Sequence, residues 1–319
     1  MAIVFPSTQR LRNLFESVAE PAALDIDLRA TSNTSAPLVP YRALGHHLRD
    51  DALLSDAQIE QVLIHQQAHG LRFGEAALAL SLVTRAQLLR ALARQFAFPV
   101  LPADQHMLAA ELVVAHDPFG LAAERFRALR SQLLANPASV VAGAGRPRRA
   151  LAVLSPASGD GKSMLAANLA ISFSQLGLRT LLVDANLRRP RLHTLFGLSQ
   201  PVGLGGLLGG RPGAALCSVA GLPSLQLLPA GGLPPNPLEL IERPTFTLLL
   251  QEWTAQFDQV IVDTPAAEHG ADARVLAAKC GAALLVARPG RSALGATQRL
   301  VQALRAGPAA LLGMVFNQG

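Results

Sequence analysis

The sequence predicts an α/β fold in which a mostly parallel sheet is flanked by helices and is preceded by a small N-terminal helical domain. Two observations lead to this prediction. From Ala150 onward, short runs rich in Val, Ile and Leu alternate with helical segments, as in parallel strands buried on both faces. Residues 41–99 instead carry helical periodicity throughout, with an internal repeat, which indicates a separate helical unit.

Length and composition agree with two folded domains. The chain has 319 residues, of which half are hydrophobic, so it can bury substantial cores and is not expected to be disordered. No apolar run approaches the roughly 18–20 residues of a membrane-spanning helix, and the first residues lack the apolar segment of a secretory signal. We therefore expect a cytoplasmic protein. The net charge of +6 comes with one Trp and one Tyr, a composition that disfavours a nucleic-acid-binding surface.

The N-terminal part divides into two segments. Residues 1–40 are predicted to be a variable linker region because they include the polar stretch RATSNTSAPLVP, whose residue types favour loops. Residues 41–105 are predicted to form the helical domain. A shift of 29 residues aligns its two halves, with Leu44-Gly45 on Phe73-Gly74. In each half a Ser or Thr, as expected for an N-cap, precedes a helix with apolar residues at three- and four-residue spacing.

The α/β domain is predicted to span residues 112–319. It opens with a helix over residues 117–136, and its first strand is ALAVL at 150–154. Further strands are predicted in the segments RTLLVDA, LQLLP, FDQVIVDTP, GAALLVA and AALLGMVFN.

The strongest functional signal is the segment SPASGDGKS at 155–163, which lies between the strand ALAVL and a helix. This order favours a phosphate-binding loop, because glycines let backbone amides approach phosphate oxygens and the helix N-terminus adds positive potential. Lys162 is expected to contact the β- and γ-phosphates, and Ser163 is expected to bind magnesium. Pro156 stands where the general pattern has its first glycine, so the alternative is a glycine-rich turn with an incidental lysine. The predicted nucleotide-binding residues of this segment are Ser158, Gly159, Asp160, Gly161, Lys162, Ser163 and Met164.

Two hydrophobic strands end in aspartate. The run LLVD ends at Asp184, and the run VIVD ends at Asp263. Carboxylates at the carboxyl ends of parallel strands lie at the same edge as a phosphate loop and are suitable ligands for Mg²⁺ or its water molecules. We therefore predict that Ser163, Asp184 and Asp263 form a magnesium site. The alternative for either aspartate is an N-cap of the following helix.

The three segments SPASGDGKS, LLVDANLRRP and VIVDTP resemble the nucleotide motifs of the bacterial tyrosine kinases of polysaccharide export. The resemblance implies a P-loop NTPase fold similar to that of MinD, with ATP and Mg²⁺ as cofactors. It implies a protein-tyrosine kinase or ATPase that regulates exopolysaccharide polymerisation, chain length and export. It also implies that Lys162 and Asp184 are catalytic, with Asp184 as the catalytic base. Asn186 departs from the family pattern, which usually has a second aspartate at that position.

Further segments carry the same resemblance. Glu124, Arg127 and Arg130 share one side of the predicted helix and match the family's subunit-contact helix, which implies a homo-oligomer. Asn317 matches the asparagine that reads adenine in related ATPases, and residues 233–240 match a loop between the core motifs. A helical domain ahead of a kinase core is similar to the chain length determinant tyrosine kinases of the EpsG group. The implied partner is a membrane polysaccharide co-polymerase of the Wzz, or chain-length-determinant, type, which would recruit the protein to the inner membrane.

Two other functions stay open at this point. The ATPases similar to MinD and ParA, which switch between assembled and free states, carry an additional lysine five positions before the main one, where this chain has Ala157. A scaffold that binds nucleotide without turnover is the second alternative. The kinase family is usually phosphorylated on a tyrosine-rich segment, whereas Tyr41 is the single tyrosine of this sequence, and this keeps ATP hydrolysis alone under consideration.

The helical domain resembles the N-terminal domain of the type II secretion and pilus ATPases GspE and MshE. Some of those domains bind cyclic di-GMP through an Arg-Leu-Gly segment. Arg72-Phe73-Gly74 matches that segment approximately, and Ala43-Leu44-Gly45 lacks the arginine. The sequence therefore favours a protein-contact module, with cyclic di-GMP binding as the alternative.

Overall fold

The computed structural model describes residues 2–4, 43–51, 53–96, 98–100, 108–136, 149–199, 203–211 and 216–318. The chain forms two compact units, one comprising Met1–Phe5 with Pro99–Gly319 and the other comprising Pro6–Phe98. Most of the predicted linker 1–40, together with Tyr41, lies outside the described residues. Within the ranges given above, no helix is both long enough and apolar enough to cross a membrane.

The described part of the Pro6–Phe98 unit is helical. Its helices are α1 (Leu44–Asp50), α2 (Asp56–His69), α3 (Phe73–Ala79) and α4 (Arg85–Gln95). Helix α3 begins 29 residues after α1 (44 to 73), and α4 begins 29 residues after α2 (56 to 85), which confirms the internal repeat. The buried residues of this unit form one apolar core: Leu48, Leu54, Val62, Ala76, Ala77, Val83, Leu88 and Ala91.

The two longer helices of the repeat begin in the same way. The Ser55 hydroxyl accepts a hydrogen bond from the Gln58 amide (3.3 Å), and the Gln58 side chain accepts one from the Ser55 amide (2.9 Å). Thr84 and Gln87 form the same reciprocal pair at the start of α4. Each pair satisfies two backbone amides that have no partner within the helix, so the predicted N-caps are confirmed.

The larger unit is built on an eight-stranded sheet with the strand order β1-β8-β7-β2-β6-β3-β5-β4. The edge strands β1 and β4 are antiparallel to their neighbours β8 and β5, and the other adjacent pairs are parallel. This arrangement confirms the predicted fold class. The strands are β1 (Ala2–Val4), β2 (Ala150–Leu154), β3 (Thr180–Asp184), β4 (Cys217–Val219), β5 (Leu222–Leu228), β6 (Gln259–Asp263), β7 (Gly281–Ala287) and β8 (Ala310–Phe316).

Helices cover both faces of the sheet. Residues along β2 alternate between two apolar cores: Leu151 and Val153 belong to one, and Ala150, Ala152 and Leu154 belong to the other. The first core includes α5 (Val113–His116), α6 (Leu121–Ala135), α7 (Lys162–Gln175) and α8 (Leu192–Leu195). The second includes α9 (Leu204–Leu208), α10 (Pro237–Glu242), α11 (Pro244–Gln256), α12 (Asp272–Cys280) and α13 (Leu294–Ala306).

The edge strands β1 and β4 are absent from the sequence-based prediction. Each has three residues, and so short a run carries little period-two signal. Strand β1 belongs to the segment predicted as a linker, and its register on β8 pairs Ala2 with Phe316. Helix α6 corresponds to the helix predicted over 117–136, but it begins at Leu121 because residues 117–120 form a turn closed by the Gly120 amide on the Asp117 carbonyl (3.1 Å).

Candidate functional site

Three loops meet at the carboxyl ends of neighbouring strands. Strand β2 runs into the segment 155–161, while β3 ends at Asp184 and β6 ends at Asp263. Strand β6 lies between β2 and β3, and Asp184 is directly opposite Asp263 in the strand register. The parallel sheet thus places the predicted phosphate-binding segment and both aspartates at one edge, which is where ligands bind in open α/β sheets.

The segment 155–161 folds as a compact loop. Gly159 and Gly161 have φ angles of +81° and +98°, in the left-handed region that favours glycine. The buried Asp160 carboxylate accepts a hydrogen bond from the Ala157 amide (2.9 Å) and braces the loop from within. Helix α7 begins immediately afterwards, at Lys162. The loop amides and the positive end of α7 therefore surround a space suited to an anion.

Lys162 and Ser163 lie in the first turn of α7, and each is only 6% exposed. The Lys162 ammonium group has no hydrogen-bond partner among the described residues. Burial raises the pKa of Asp263, and the charge of Lys162, together with the nearby Ser163 hydroxyl, offsets part of that rise. Both side chains therefore lie close enough to the strand end that carries Asp263 to influence its charge.

The two aspartates are fully buried but have different surroundings. Asp184 accepts hydrogen bonds from three backbone amides, those of Asn186, Arg191 and Leu192, at 3.0–3.2 Å. Within the described ranges neither carboxylate oxygen of Asp263 accepts a hydrogen bond of normal geometry, although the Ser163 hydroxyl lies near it. Burial, and next the charge of Asp263, raises the pKa of Asp184, and burial also raises the pKa of Asp263. Two adjacent buried carboxyls, one of them with both oxygens unsatisfied, suit a divalent cation, so these residues fit Mg²⁺.

The loop after β3 is shaped by its own polar side chains. The contacts of Asp184 with the Arg191 and Leu192 amides lie where α8 begins, so this aspartate also satisfies a helix start. Asn186 binds Arg189 twice: its amide nitrogen donates to the Arg189 carbonyl (2.7 Å), and its oxygen accepts from the Arg189 amide (3.1 Å). The residue that departs from the family pattern therefore holds the turn of this loop.

A cavity of about 390 Å³ opens beside the phosphate-binding segment. Gly159, Gly161 and Met164 line it together with Asn317. The Asn317 side-chain amide donates to the Asp160 carbonyl (3.0 Å), so the end of the last strand is tied to the loop. Met164 and Asn317 are thus placed at the same cavity as the loop, while the reading of adenine by Asn317 stays a prediction.

Ser158 makes contacts that the sequence analysis missed. A 3₁₀ turn, Ala267–His269, follows β6 at this edge of the sheet. The Ser158 amide donates to the Glu268 carboxylate (2.6 Å), and the Ser158 hydroxyl contacts Nε2 of His269 (2.8 Å). The Ser158 amide lowers the pKa of Glu268, with a smaller contribution from the charge of Lys162. The Glu268 carboxylate is therefore hydrogen-bonded to one of the backbone amides of the phosphate-binding loop.

The three residues predicted to contact another subunit lie on α6. Arg127 pairs with Glu124 (2.6 Å) and donates to the Pro118 carbonyl (2.6 Å). Arg130 donates to the Ser172 carbonyl of α7 (2.5 Å), and burial lowers the pKa of its guanidinium. The Glu124 side chain stays 62% exposed. Both arginines are therefore engaged within their own chain, and the subunit contact stays a prediction.

Residues 151–318 match the family described as the CobQ/CobB/MinD/ParA nucleotide binding domain. The chain is 32% identical over 207 residues to tyrosine-protein kinase YwqD of Bacillus subtilis (strain 168). The aligned region covers 65% of this chain and 85% of that protein. It is 32% identical over 179 residues to tyrosine-protein kinase wzc of Salmonella typhi, which covers 56% of this chain but 24% of that protein.

A solved structure gives the same result. The kinase domain of the Escherichia coli tyrosine kinase ETK matches with a TM-score of 0.58 at 28% identity, covering 65% of this chain and 79% of that structure. The region matched by the family, 151–318, contains Lys162, Ser163, Asp184 and Asp263.

Proposed function

The chain belongs to the bacterial tyrosine kinases, within the CobQ/CobB/MinD/ParA nucleotide-binding family, and from this premise we propose that it is a Mg-ATP-dependent protein-tyrosine kinase. We propose that it regulates exopolysaccharide polymerisation, chain length and export. The observation that carries the proposal is the meeting of four side chains at the carboxyl ends of three neighbouring strands: Lys162, Ser163, Asp184 and Asp263.

Each side chain has a proposed role in binding Mg-ATP. The residues from Ser158 to Met164 would surround the phosphates, and Lys162 would neutralise part of their charge. Ser163, Asp184 and Asp263 would hold Mg²⁺, which would polarise the transferring phosphoryl group. The unsatisfied, fully buried oxygens of Asp263 support this role, because a buried carboxylate without a partner is costly unless a ligand satisfies it.

Transfer to tyrosine needs a proton acceptor. The tyrosine oxygen bonds to the γ-phosphorus while the phosphorus–oxygen bond to ADP breaks, and the phenolic proton leaves. Asp184 is the proposed acceptor. It lies opposite Asp263 at the carboxyl edge of the sheet, beside the phosphate-binding segment.

Incubation with γ-labelled ATP, Mg²⁺ and a tyrosine-containing peptide tests the proposal. We expect phosphotyrosine with the wild type and none with Lys162→Met. Free phosphate alone would support the second candidate, an ATPase switch of the MinD type, which the presence of a single tyrosine favours. If neither phosphotyrosine nor free phosphate forms, the result would indicate a nucleotide-binding scaffold. Tyr41→Phe is the matched control, because it removes self-phosphorylation and leaves transfer to the peptide.

We propose further that the protein works as a homo-oligomer recruited to the inner membrane by a polysaccharide co-polymerase of the Wzz type. The exposed Glu124 is the residue of the α6 group best suited to test this, because Arg130 also binds α7. We expect light scattering to give a multimer for the wild type and a single chain for Glu124→Arg, with ADP binding kept. Equal masses would contradict a contact through α6.

For the Pro6–Phe98 unit we propose a protein-contact module, with cyclic di-GMP binding as the second candidate. A cavity of about 410 Å³ lies among Leu44, Gly45 and Phe73, and these are the residues that the repeat aligns. Calorimetric titration with cyclic di-GMP distinguishes a protein-contact module from a dinucleotide-binding domain. We expect no binding heat, whereas saturable binding that is lost in Arg72→Ala would favour the dinucleotide.

A further inference from the structure

Arg291 lies over the phosphate-binding loop. A Cβ atom built on Gly159 would come within 2.6 Å of Nη2 of Arg291, so the guanidinium group is close to the middle of the loop. The Arg291 side chain is exposed. It forms no hydrogen bond or ion pair with any residue in the described part of the chain. An unpaired guanidinium therefore lies where a phosphate chain would approach the loop amides.

The backbone that carries Arg291 is fixed by a short turn. Strand β7 is the neighbour of β2 in the sheet and parallel to it, so the turn after β7 lies beside the loop after β2. The Arg288 carbonyl accepts hydrogen bonds from the amides of Arg291 (3.0 Å) and Ser292 (2.8 Å), and the Arg288 amide donates to the Ser292 hydroxyl (2.8 Å). These bonds define the direction from which Arg291 extends.

The cavity beside the loop is also cationic. Arg125 from α6 and Arg288 from the turn line it, and among the described residues neither side chain has an acidic partner. Arg191 lines it too, but it is paired with Glu111 (2.7 Å). Cations without counter-ions around a concave site attract an anionic ligand. The planar guanidinium group matches the oxygens of a phosphate better than an ammonium group does.

We propose that Arg291 is a binding residue for the phosphate chain of the nucleotide, supplied by the same chain as the loop. The proposal rests on the proposed function. Lys162 reaches the phosphates from the first turn of α7, and Arg291 reaches them from the turn after β7. The ligand class is a nucleoside diphosphate or triphosphate, because a longer phosphate chain brings more charge to both cations.

Titration with Mg²⁺ and ADP tests the role of Arg291. We expect Arg291→Ala to weaken ADP binding by at least about tenfold, since it removes a charge-assisted hydrogen bond. Arg291→Lys keeps the positive charge and should therefore lose less affinity for ADP than Arg291→Ala. Added salt should weaken binding to the wild type more than binding to Arg291→Ala. Arg299→Ala is the matched control, because Arg299 is an exposed arginine of α13, and it should bind ADP like the wild type.

Thermal unfolding without nucleotide, on the same samples, separates binding from structure. Because Arg291 has no partner in the described ranges, Arg291→Ala should melt at the wild-type temperature. Wild-type affinity in Arg291→Ala, an equal loss in Arg299→Ala, or a loss matched by a lower melting temperature would overturn this proposal and leave the proposed function in place. A wild type that binds no ADP would overturn both.

Discussion

The helical repeat and the carboxyl edge of the sheet use polar side chains in opposite ways. In the repeat, Ser55 and Thr84 bond to residues three positions ahead, so each polar group has a partner within its own turn. At the carboxyl edge, Asp263 is fully buried, and neither of its oxygens has a partner among the described residues. Burying an unpaired charge costs free energy. A fully buried carboxylate with neither oxygen bonded, more than polarity alone, therefore distinguishes the candidate site.

The two lysines of the chain repeat this contrast. Lys279 donates hydrogen bonds to the carbonyls of Glu242 and Arg243 and to the Thr247 hydroxyl, at 2.9–3.3 Å. Lys162 is more deeply buried and has no such partner in the described part of the chain. Lys279 thus stabilises the packing of three helices, whereas Lys162 is available to a ligand.

The largest effect is expected when these lysines are replaced one at a time by methionine. Lys162→Met should lower phosphoryl transfer by at least about a hundredfold and leave the melting temperature unchanged or raised, because a buried charge is removed. Lys279→Met should keep its turnover and lose about 1–3 kcal/mol of stability, because two carbonyls lose their donor. Turnover assays and urea unfolding of both variants measure this. Normal turnover in Lys162→Met would break the comparison.

The aspartates should give the next largest effect. Asp263→Asn and Asp184→Asn should each lower turnover by more than about tenfold, because each removes a charge that acts on the metal. The defect in Asp263→Asn should shrink as the Mg²⁺ concentration rises, since Asp263 has no other partner among the described residues. Turnover measured over a range of Mg²⁺ concentrations tests this. Normal turnover combined with lower stability in Asp184→Asn would make that residue a helix cap only.

The sequence made these four side chains predictable because each lies in a short motif or at a strand end. Lys162 and Ser163 follow a glycine-rich loop, and Asp184 and Asp263 each end an apolar run. Once a parallel sheet is inferred, its geometry brings such strand ends together. The same argument predicts the central strands β2, β3 and β6. Each of them has five residues, and all five are buried.

Other contacts of the site were not predictable, because they join segments that are distant in sequence. Ser158 and Glu268 are 110 positions apart. Arg188 binds the buried Asp272 through two hydrogen bonds at 3.0 and 3.2 Å across 84 positions. Neither pair is marked by a local motif, since the partners meet only through the order and register of the strands. Arg291 was missed for the same reason, and the strands β1 and β4 were missed because they are short.

The dependence of stability on pH sharpens the comparison further. Burial raises the pKa of both Asp184 and Asp263, so their contribution to stability is full below the ordinary carboxyl range and is lost as the pH rises through the raised values. Without Mg²⁺, the stability of Asp184→Asn relative to the wild type should therefore rise between about pH 4 and about pH 8. Denaturant unfolding at the two pH values measures this. The same change in stability with pH in both proteins would contradict the burial of the two aspartates. Mg²⁺ should raise the stability of the wild type at the higher pH.

The smallest effect is expected in the helical repeat. Thr84→Ala removes the hydroxyl that accepts from the Gln87 amide and should cost about 1 kcal/mol, whereas Thr84→Ser should be close to neutral. Neither should change turnover, because the cap serves only its own helix. Unfolding of the Pro6–Phe98 unit and the turnover assay are the two measurements. A loss of turnover in Thr84→Ala alone would mean that the repeat takes part in the chemistry.

The central claim is that the carboxyl edge of the sheet is a Mg-ATP site, and calorimetric titration with ATP tests it most directly. The wild type and Asp263→Asn are titrated with and without Mg²⁺. We predict one nucleotide per chain, with binding that a given concentration of Mg²⁺ strengthens clearly in the wild type and much less in Asp263→Asn, because that variant loses one of the metal's ligands. Absence of ATP binding to the wild type, or the same gain from Mg²⁺ in both proteins, would contradict it.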